Sequence, residues 1–199
     1  VFGHNPNTAV WEDHLLVINL HALGDVVAMT SVLRQYKKDF PNKKIYFLIS
    51  QDLGVTEKVF NDFVDAILFI DLRKFGSDLL YELKFLNNLR SIGFETVVNQ
   101  GYGIFEIPGK VISVSLGAKK IIGYEGPAIE ISNTDWVLKR KINFVRKFIF
   151  PLYTKIVPSM DADFKEKGRV SSFPLIYVEI YKALLNHAPE RMATKIGID

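Results

Sequence analysis

The chain has 199 residues, 48% of them apolar and 24% charged, a balance that suits one well-buried soluble domain and excludes a disordered chain. Its 25 basic and 22 acidic residues leave a formal charge of +3, too small for bulk attraction to nucleic acid, so an anionic partner must be met locally. Cysteine is absent, which excludes disulfides, thiolate nucleophiles and cysteine-based zinc sites and fits a reducing compartment.

No apolar run approaches the roughly 18 residues of a membrane span, and no basic-then-apolar leader opens the chain, so the expected location is cytoplasmic. The chain starts at Val1 instead of methionine and is read as a piece of a longer protein. Residues 1–13, VFGHNPNTAVWED, carry turn-forming residues without a period and read as an irregular lead-in. His4 lies there. With no second histidine at ligand spacing it reads as a surface residue, and no metal site is expected.

His14 to Leu20 is a short apolar run, as expected of a strand buried on both faces. The spacing of Val26, Thr30, Leu33, Tyr36 or Lys37, and Phe40 predicts a helix from Val26 to Phe40, stopped by Pro41-Asn42. Lys44 to Ser50 is a second strand, so the two strands and the helix form a parallel βαβ unit. A short helix over Val55 to Phe63 and a third strand over Ala66 to Asp71 follow. Leu79, Leu80, Leu83, Leu86 and Leu89 mark a helix to Arg90, closed by Gly93. Glu95 to Asn99 is a fourth strand, Ile104 to Leu116 a helix interrupted in pattern by Pro108 and Gly109, and Lys119 to Tyr124 a fifth strand. Five such alternations predict a doubly wound parallel sheet.

Past Gly126 the pattern changes. Residues 127–136 are irregular, Lys139 to Tyr153 mixes basic and aromatic residues, and Pro158 to Arg169 is a charged loop. Ser172 caps a last helix running to Asn186.

The first βα junction holds the leading candidate. Asp25 follows Gly24 at a strand's carboxyl end, where open α/β sheets bind ligands. It has two readings from position: a cap for the free N–H groups of the helix, or a general base accepting a proton from a substrate hydroxyl. Asn19-Leu20-His21-Ala22-Leu23-Gly24 has one glycine where a dinucleotide fingerprint needs three, and no P-loop occurs, so neither NAD nor ATP is indicated.

The run LLVINLHALGDVVAMTSVLRQYKKDFPNKKIYFLIS resembles the start of glycosyltransferase family nine, the ADP-heptose:lipopolysaccharide heptosyltransferases, with its strand, its loop ending in Leu/Met-Gly-Asp and its Phe/Tyr-Pro before the second strand. The likeness continues through VDAILFIDLRKF, through LNNLRSIGFETVVNQGYG against the family's Asp-x-Gln-Gly, through GAKKIIGYEG against Gly-Ala-x-x-Arg-Ile-Gly, and in the tail YVEIYKALLNHAPERMATKIGID. It covers about Leu15 to Tyr124 in order, plus the tail.

That resemblance implies an α/β fold with a Rossmann-like, doubly wound, mostly parallel sheet, the amino-terminal half of a GT-B glycosyltransferase. Residues 14–126 would form the acceptor-binding domain, and 127–199 would complete it and lead toward a missing second domain. Asp25 is then the catalytic base, and Gly24 lets the backbone approach the acceptor. His21, Ala22, Leu23, Gln100 and Gly101 line the acceptor site. Arg73 meets acidic groups on the acceptor or is simply a solvated loop charge. No cofactor is implied; the donor, ADP-heptose in the family, would sit on the missing domain. The expected partners are a glycan or glycolipid acceptor and that second domain, with no nucleic acid. This chain alone would be inactive.

Three positions depart from the family pattern, and one of them is His21, at a position often small and polar. Asn19 stands where a Lys or Arg is usual, and Asn99 where an Asp precedes Gln-Gly. Lys110, Lys119 and Lys120 read as ordinary surface charge. The basic and aromatic stretch, with Lys139, Arg140, Lys141, Arg146 and Lys147 among Phe144, Phe148, Phe150 and Tyr153, has three readings. It rests on an anionic membrane at the inner membrane face, packs on the domain, or receives a second domain. The alternative to an enzyme is a non-catalytic α/β binding module that needs no Asp25. A phospho-receiver domain would require an acidic cluster, and Asp71 alone does not make one.

Overall fold

The structure is a computed structural model that describes residues 12–53, 60, 62–101, 107–124, 140, 144–157, 180 and 184. The predicted lead-in, the helix over Val55 to Phe63 and the last helix fall largely or wholly outside the described residues, although Ile180 and Leu184 are helical and buried.

Strands β1 (Glu12–Ile18), β2 (Lys44–Ser50), β3 (Ala66–Ile70), β4 (Phe94–Asn99), β5 (Lys120–Tyr124) and β6 (Lys155–Val157) form one sheet in the order β3-β2-β1-β4-β5-β6. Every neighbouring pair is parallel. Apolar side chains on both faces make the central strands near-continuous apolar runs, because helices cover both sides. Alternate residues of β1 feed opposite layers. Leu15 and Val17 join Val26, Met29, Leu33, Ile45, Phe47, Ile180 and Leu184, while Leu16 and Ile18 join Leu48, Ile70, Leu86, Leu89, Val97 and Ile112. Helix α1 (Leu23–Asp39) therefore covers one face, and helices α2 (Leu79–Ile92) and α3 (Ile107–Ser115) the other. This is the predicted Rossmann-like, doubly wound arrangement.

Several boundaries differ from the sequence reading, each for a physical reason. Helix α1 starts at Leu23, not Val26, and buries Val26, Met29, Val32, Leu33 and Tyr36. Thr30 is not on that buried set; its hydroxyl donates back to the Val27 carbonyl at 2.8 Å. Helix α2 is capped by Asp78, whose Oδ1 accepts from the Tyr81 N–H at 3.1 Å, and ends at Gly93 in the left-handed region at φ 75°. Of its five leucines only Leu86 and Leu89 are buried; Leu79, Leu80 and Leu83 are exposed. Helix α3 tolerates Pro108 because a proline in the first turn gives up an N–H that has no intrahelical partner.

The predicted five strands become six. β6 pairs with β5 through Ile122 with Lys155, Gly123 with Ile156 and Tyr124 with Val157. Its three residues are too few to show a period. Ahead of it, Val145–Ile149 forms a π-helical turn and Phe150–Leu152 a 3-10 turn. Tyr153 then lays its ring on Gly123, where a Cβ would stand 2.3 Å from Cε1, so only glycine fits on β5 there.

Candidate functional site

The strand order reverses beside β1. From it the chain winds outward to β2 and β3 on one side, and to β4, β5 and β6 on the other. In open α/β sheets the crevice at the carboxyl ends of the strands flanking such a point is where ligands bind. Here the two flanking strands end together, with Ile18 opposite Asn99. The Gln100 N–H donates to the Ile18 carbonyl at 2.8 Å, and the Asn19 N–H to the Leu48 carbonyl at 3.0 Å.

Each strand is stopped by an asparagine that folds its side chain onto the residue two ahead. Asn19 Oδ1 accepts from the His21 N–H at 3.1 Å, and Asn99 Oδ1 from the Gly101 N–H at 2.9 Å. Both asparagines are buried. Such Asx turns substitute a side-chain oxygen for the next ladder partner and lift the chain out of the sheet. Asn19 and Asn99 thus shape the turns at the ends of β1 and β4. The sequence signal was available: Asn at the end of an apolar run is a turn signal.

The turn at Asn19 delivers the chain into α1. Ala22 occupies the capping position in an extended conformation, and its carbonyl accepts from the N–H groups of Asp25 and Val26 at 3.0 and 3.2 Å. The side chain of Ala22 itself makes no capping hydrogen bond. The capping position is Ala22, and Asp25 stands three residues further on, inside the first turn, so it is not the capping residue. Its charge still complements the helix dipole. Gly24 has nothing within 4 Å of where a Cβ would be, and its φ lies outside the left-handed region. Neither crowding nor backbone strain among the described residues calls for glycine, which costs a helix about 0.5–1 kcal/mol relative to alanine.

Electrostatics tie three residues together at this mouth. Burial pushes the His21 imidazole below its usual range; the Asp25 carboxylate opposes that and the Lys110 ammonium reinforces it. The ring is therefore mainly neutral at pH 7. Lys110, on α3, is 1% exposed. It is not surface charge, and its ammonium acts on His21. The sequence hid it because Pro108-Gly109 blurs the start of α3 and with it the buried face.

The sheet is one already seen in solved glycosyltransferases. It superposes on a glycosyl transferase of family 9 from Veillonella parvula with a TM-score of 0.60 at 17% identity, covering 86% of this chain and 41% of that one. It also matches the Escherichia coli heptosyltransferase WaaC, solved with ADP-2-deoxy-2-fluoro heptose, with a TM-score of 0.57 at 11% identity, covering 89% of this chain and 50% of that one. The chain spans half or less of the length of either protein. At these identities the likeness is one of fold. No protein-family model and no curated protein matches the chain.

The expected site residues divide into two groups. His21, Ala22, Leu23, Gly24 and Asp25 form one continuous rim, with Ala22, Leu23 and Gly24 exposed and Asp25 partly so. Gly101 lies beside it on β4's turn. Gln100 is at the same strand end, but its side chain is wholly buried. Its Nε2 donates to the Tyr36 hydroxyl at 3.0 Å, while its Oε1 has no partner among the described residues. Burial drives the Tyr36 hydroxyl's pKa upward, so it remains protonated. Arg73 stands apart. It follows the edge strand β3, two strands and about 10 Å across the sheet from β1, and pairs with Asp52 at 3.5 Å with its side chain 84% exposed. The other two lysines also separate: Lys119 is a surface charge paired with Glu95 at 3.5 Å, whereas Lys120 is partly buried and donates to the Leu184 carbonyl at 2.7 Å. Among the described residues no cluster of His, Asp or Glu is arranged to hold a metal ion.

Proposed function

We propose that this chain is the acceptor-holding, base-supplying part of a glycosyltransferase that uses a nucleotide-diphosphate sugar. The observation that carries the reading is the Asp25 carboxylate in the open first turn of α1, at the switch point of the sheet, next to a glycine that no packing among the described residues requires. A ligand approaching the helix start closely gives Gly24 its reason. In the reaction the acceptor hydroxyl loses its proton to Asp25 as its oxygen bonds to the anomeric carbon of the donor. The bond from that carbon to the diphosphate breaks, and the nucleoside diphosphate leaves. One carboxylate is enough because the leaving group needs no protonation.

The neutral His21 ring supplies hydrogen bonding to acceptor hydroxyls without adding charge beside the base. Lys110 supplies the positive field that an acidic acceptor needs where β1 ends in a neutral asparagine. The acceptor class is a lipopolysaccharide or related glycan, and the donor class is that of ADP-heptose, held by a second domain of the complete protein.

Turnover by the complete natural protein with Asp25→Asn tests this. The expected loss in kcat is about a hundredfold to ten-thousandfold, with an unchanged circular dichroism spectrum. Retained turnover would point to the non-catalytic binding module instead. The 199-residue chain by itself should transfer no sugar, and measurable transfer from a nucleotide sugar would refute the need for a second domain.

A further inference from the structure

Between Asp135 and Asp161 the chain carries six basic residues, Lys139, Arg140, Lys141, Arg146, Lys147 and Lys155, and no acidic one. Charge that nearly cancels over the whole protein is thus one-signed here. Within this stretch Phe144, Phe148 and Leu152 follow one another at four-residue intervals and are 50%, 54% and 56% exposed. The two phenyl rings pack together at 5.3 Å between centroids, and Lys147 Nζ sits 5.4 Å from the centre of the Phe148 ring. Arg140, four residues before Phe144, is exposed as well.

The inner side of the same segment is held firmly. Ile149 is buried, Tyr153 packs on Gly123, and its hydroxyl accepts from Asn99 Nδ2 at 3.2 Å. Packing on the domain therefore accounts for Ile149 and Tyr153 and, among the described residues, leaves the two rings half exposed. A cluster of large apolar side chains edged, among the described residues of this segment, by cations matches the interfacial region of an anionic bilayer, where rings enter the headgroup boundary and cations meet lipid phosphates. A second copy of this chain is a poor occupant, because its face would bring the same one-signed charge.

We propose that the surface bearing Arg140, Phe144, Lys147, Phe148 and Leu152 docks on an anionic lipid membrane. It goes beyond the transferase reading and does not depend on it. Tyr153, next to Leu152, ties the segment by one hydrogen bond to Asn99.

Flotation of the 199-residue chain with vesicles of phosphatidylcholine and phosphatidylglycerol, compared with phosphatidylcholine alone, tests the proposal. The chain should float with the anionic vesicles only, and less at high salt. Phe144→Ser with Phe148→Ser should weaken binding at least about tenfold at constant charge, and Lys147→Gln about fivefold. Both phenylalanines are half exposed, so the melting temperature should hold; Lys147→Glu, at an exposed position, gives an independent arm. Absence of wild-type flotation overturns the proposal, as does equal binding to neutral vesicles. So does a double serine variant that binds like the wild type, or loss of a wild-type dimer in that variant, which would assign the rings to self-association.

Discussion

The two ends of the sheet are built from the same strands and treat polar groups in opposite ways. At the amino-terminal end, charges answer charges. Lys43 donates to both Asp13 and Glu95, Lys119 reaches Glu95, and Lys37 pairs with Asp65, whose second oxygen accepts from the Ile45 N–H. At the carboxyl-terminal end the ion pairs Arg73–Asp52 and Lys74–Asp71 stay with the edge strand β3, while at the centre β1 and β4 stop on neutral asparagines, a lysine is buried, a histidine is kept neutral, and the Gln100 oxygen has no partner among the described residues. One end completes itself, and the centre of the other holds polar capacity for something outside the chain. A parallel sheet makes the division natural, since every loop that follows a strand emerges at the same end.

The sharpest contrast is between two aspartates at opposite ends. In the complete protein Asp25→Asn should abolish most turnover, as above, whereas Asp13→Asn should leave kcat within about twofold, because a surface pair at the far end touches stability only. Equal losses would erase the distinction.

Asn99→Leu comes next. It deprives the Gly101 N–H and the Tyr153 hydroxyl of their shared partner, so stability should fall by about 2–3 kcal/mol in urea unfolding. An unchanged midpoint would mean that the turn is shaped by something other than this asparagine.

At the opposite end Lys43→Met should cost about 1 kcal/mol, since its partners are partly solvated. The pH dependence has a definite sign. The hydrogen bond from Lys43 holds the Asp13 carboxyl below 3.8, so its contribution is present above that pH and disappears as pH falls through the depressed value. Burial disfavours the Lys43 charge, but hydrogen bonds to Asp13 and Glu95 outweigh it and raise the pKa above 10.5. Its contribution is present below that pH and disappears as pH rises through the raised value. The variant's penalty should therefore be a plateau with both flanks removed.

The smallest effect is spectroscopic. His21 should titrate below 6.5 by NMR, and the folded state should lose stability as pH drops through that region, because the unfolded ring takes up its proton first. Asp25→Asn should lower the midpoint further and Lys110→Met should raise it. Midpoints that ignore both substitutions would dissolve the cluster at the mouth.

The parallel core was legible because a strand covered on both faces leaves an uninterrupted apolar run, as in Leu15 to Ile18 and Ile45 to Ile49. β6 was not, because three residues beside Pro158 offer no period and owe their place to pairing with β5. Helix α2 was legible from its leucines and Gly93, although Leu79, Leu80 and Leu83 are exposed. At the site, Gly24 and Asp25 were visible as a junction. The buried state of Lys110 and the bracing of Gln100 by Tyr36 were not, because both depend on contacts across elements far apart in sequence.

The start of α1 carries a consequence in time. Ala22 at the capping position forgoes roughly 1 kcal/mol that Ser or Asp would bring, and Gly24 in the first turn weakens it again. The sheet fastens the middle of the helix through Val26, Met29 and Leu33, so opening should begin at the end nearest Asp25. Amide protons of this turn should exchange with deuterium well before those of Met29 to Leu33, and a bound acceptor should slow them selectively. If Asp25 is the base of the transferase proposed above, its carboxylate would then settle into place only when the site is filled, sparing a half-empty crevice from losing the sugar donor to water.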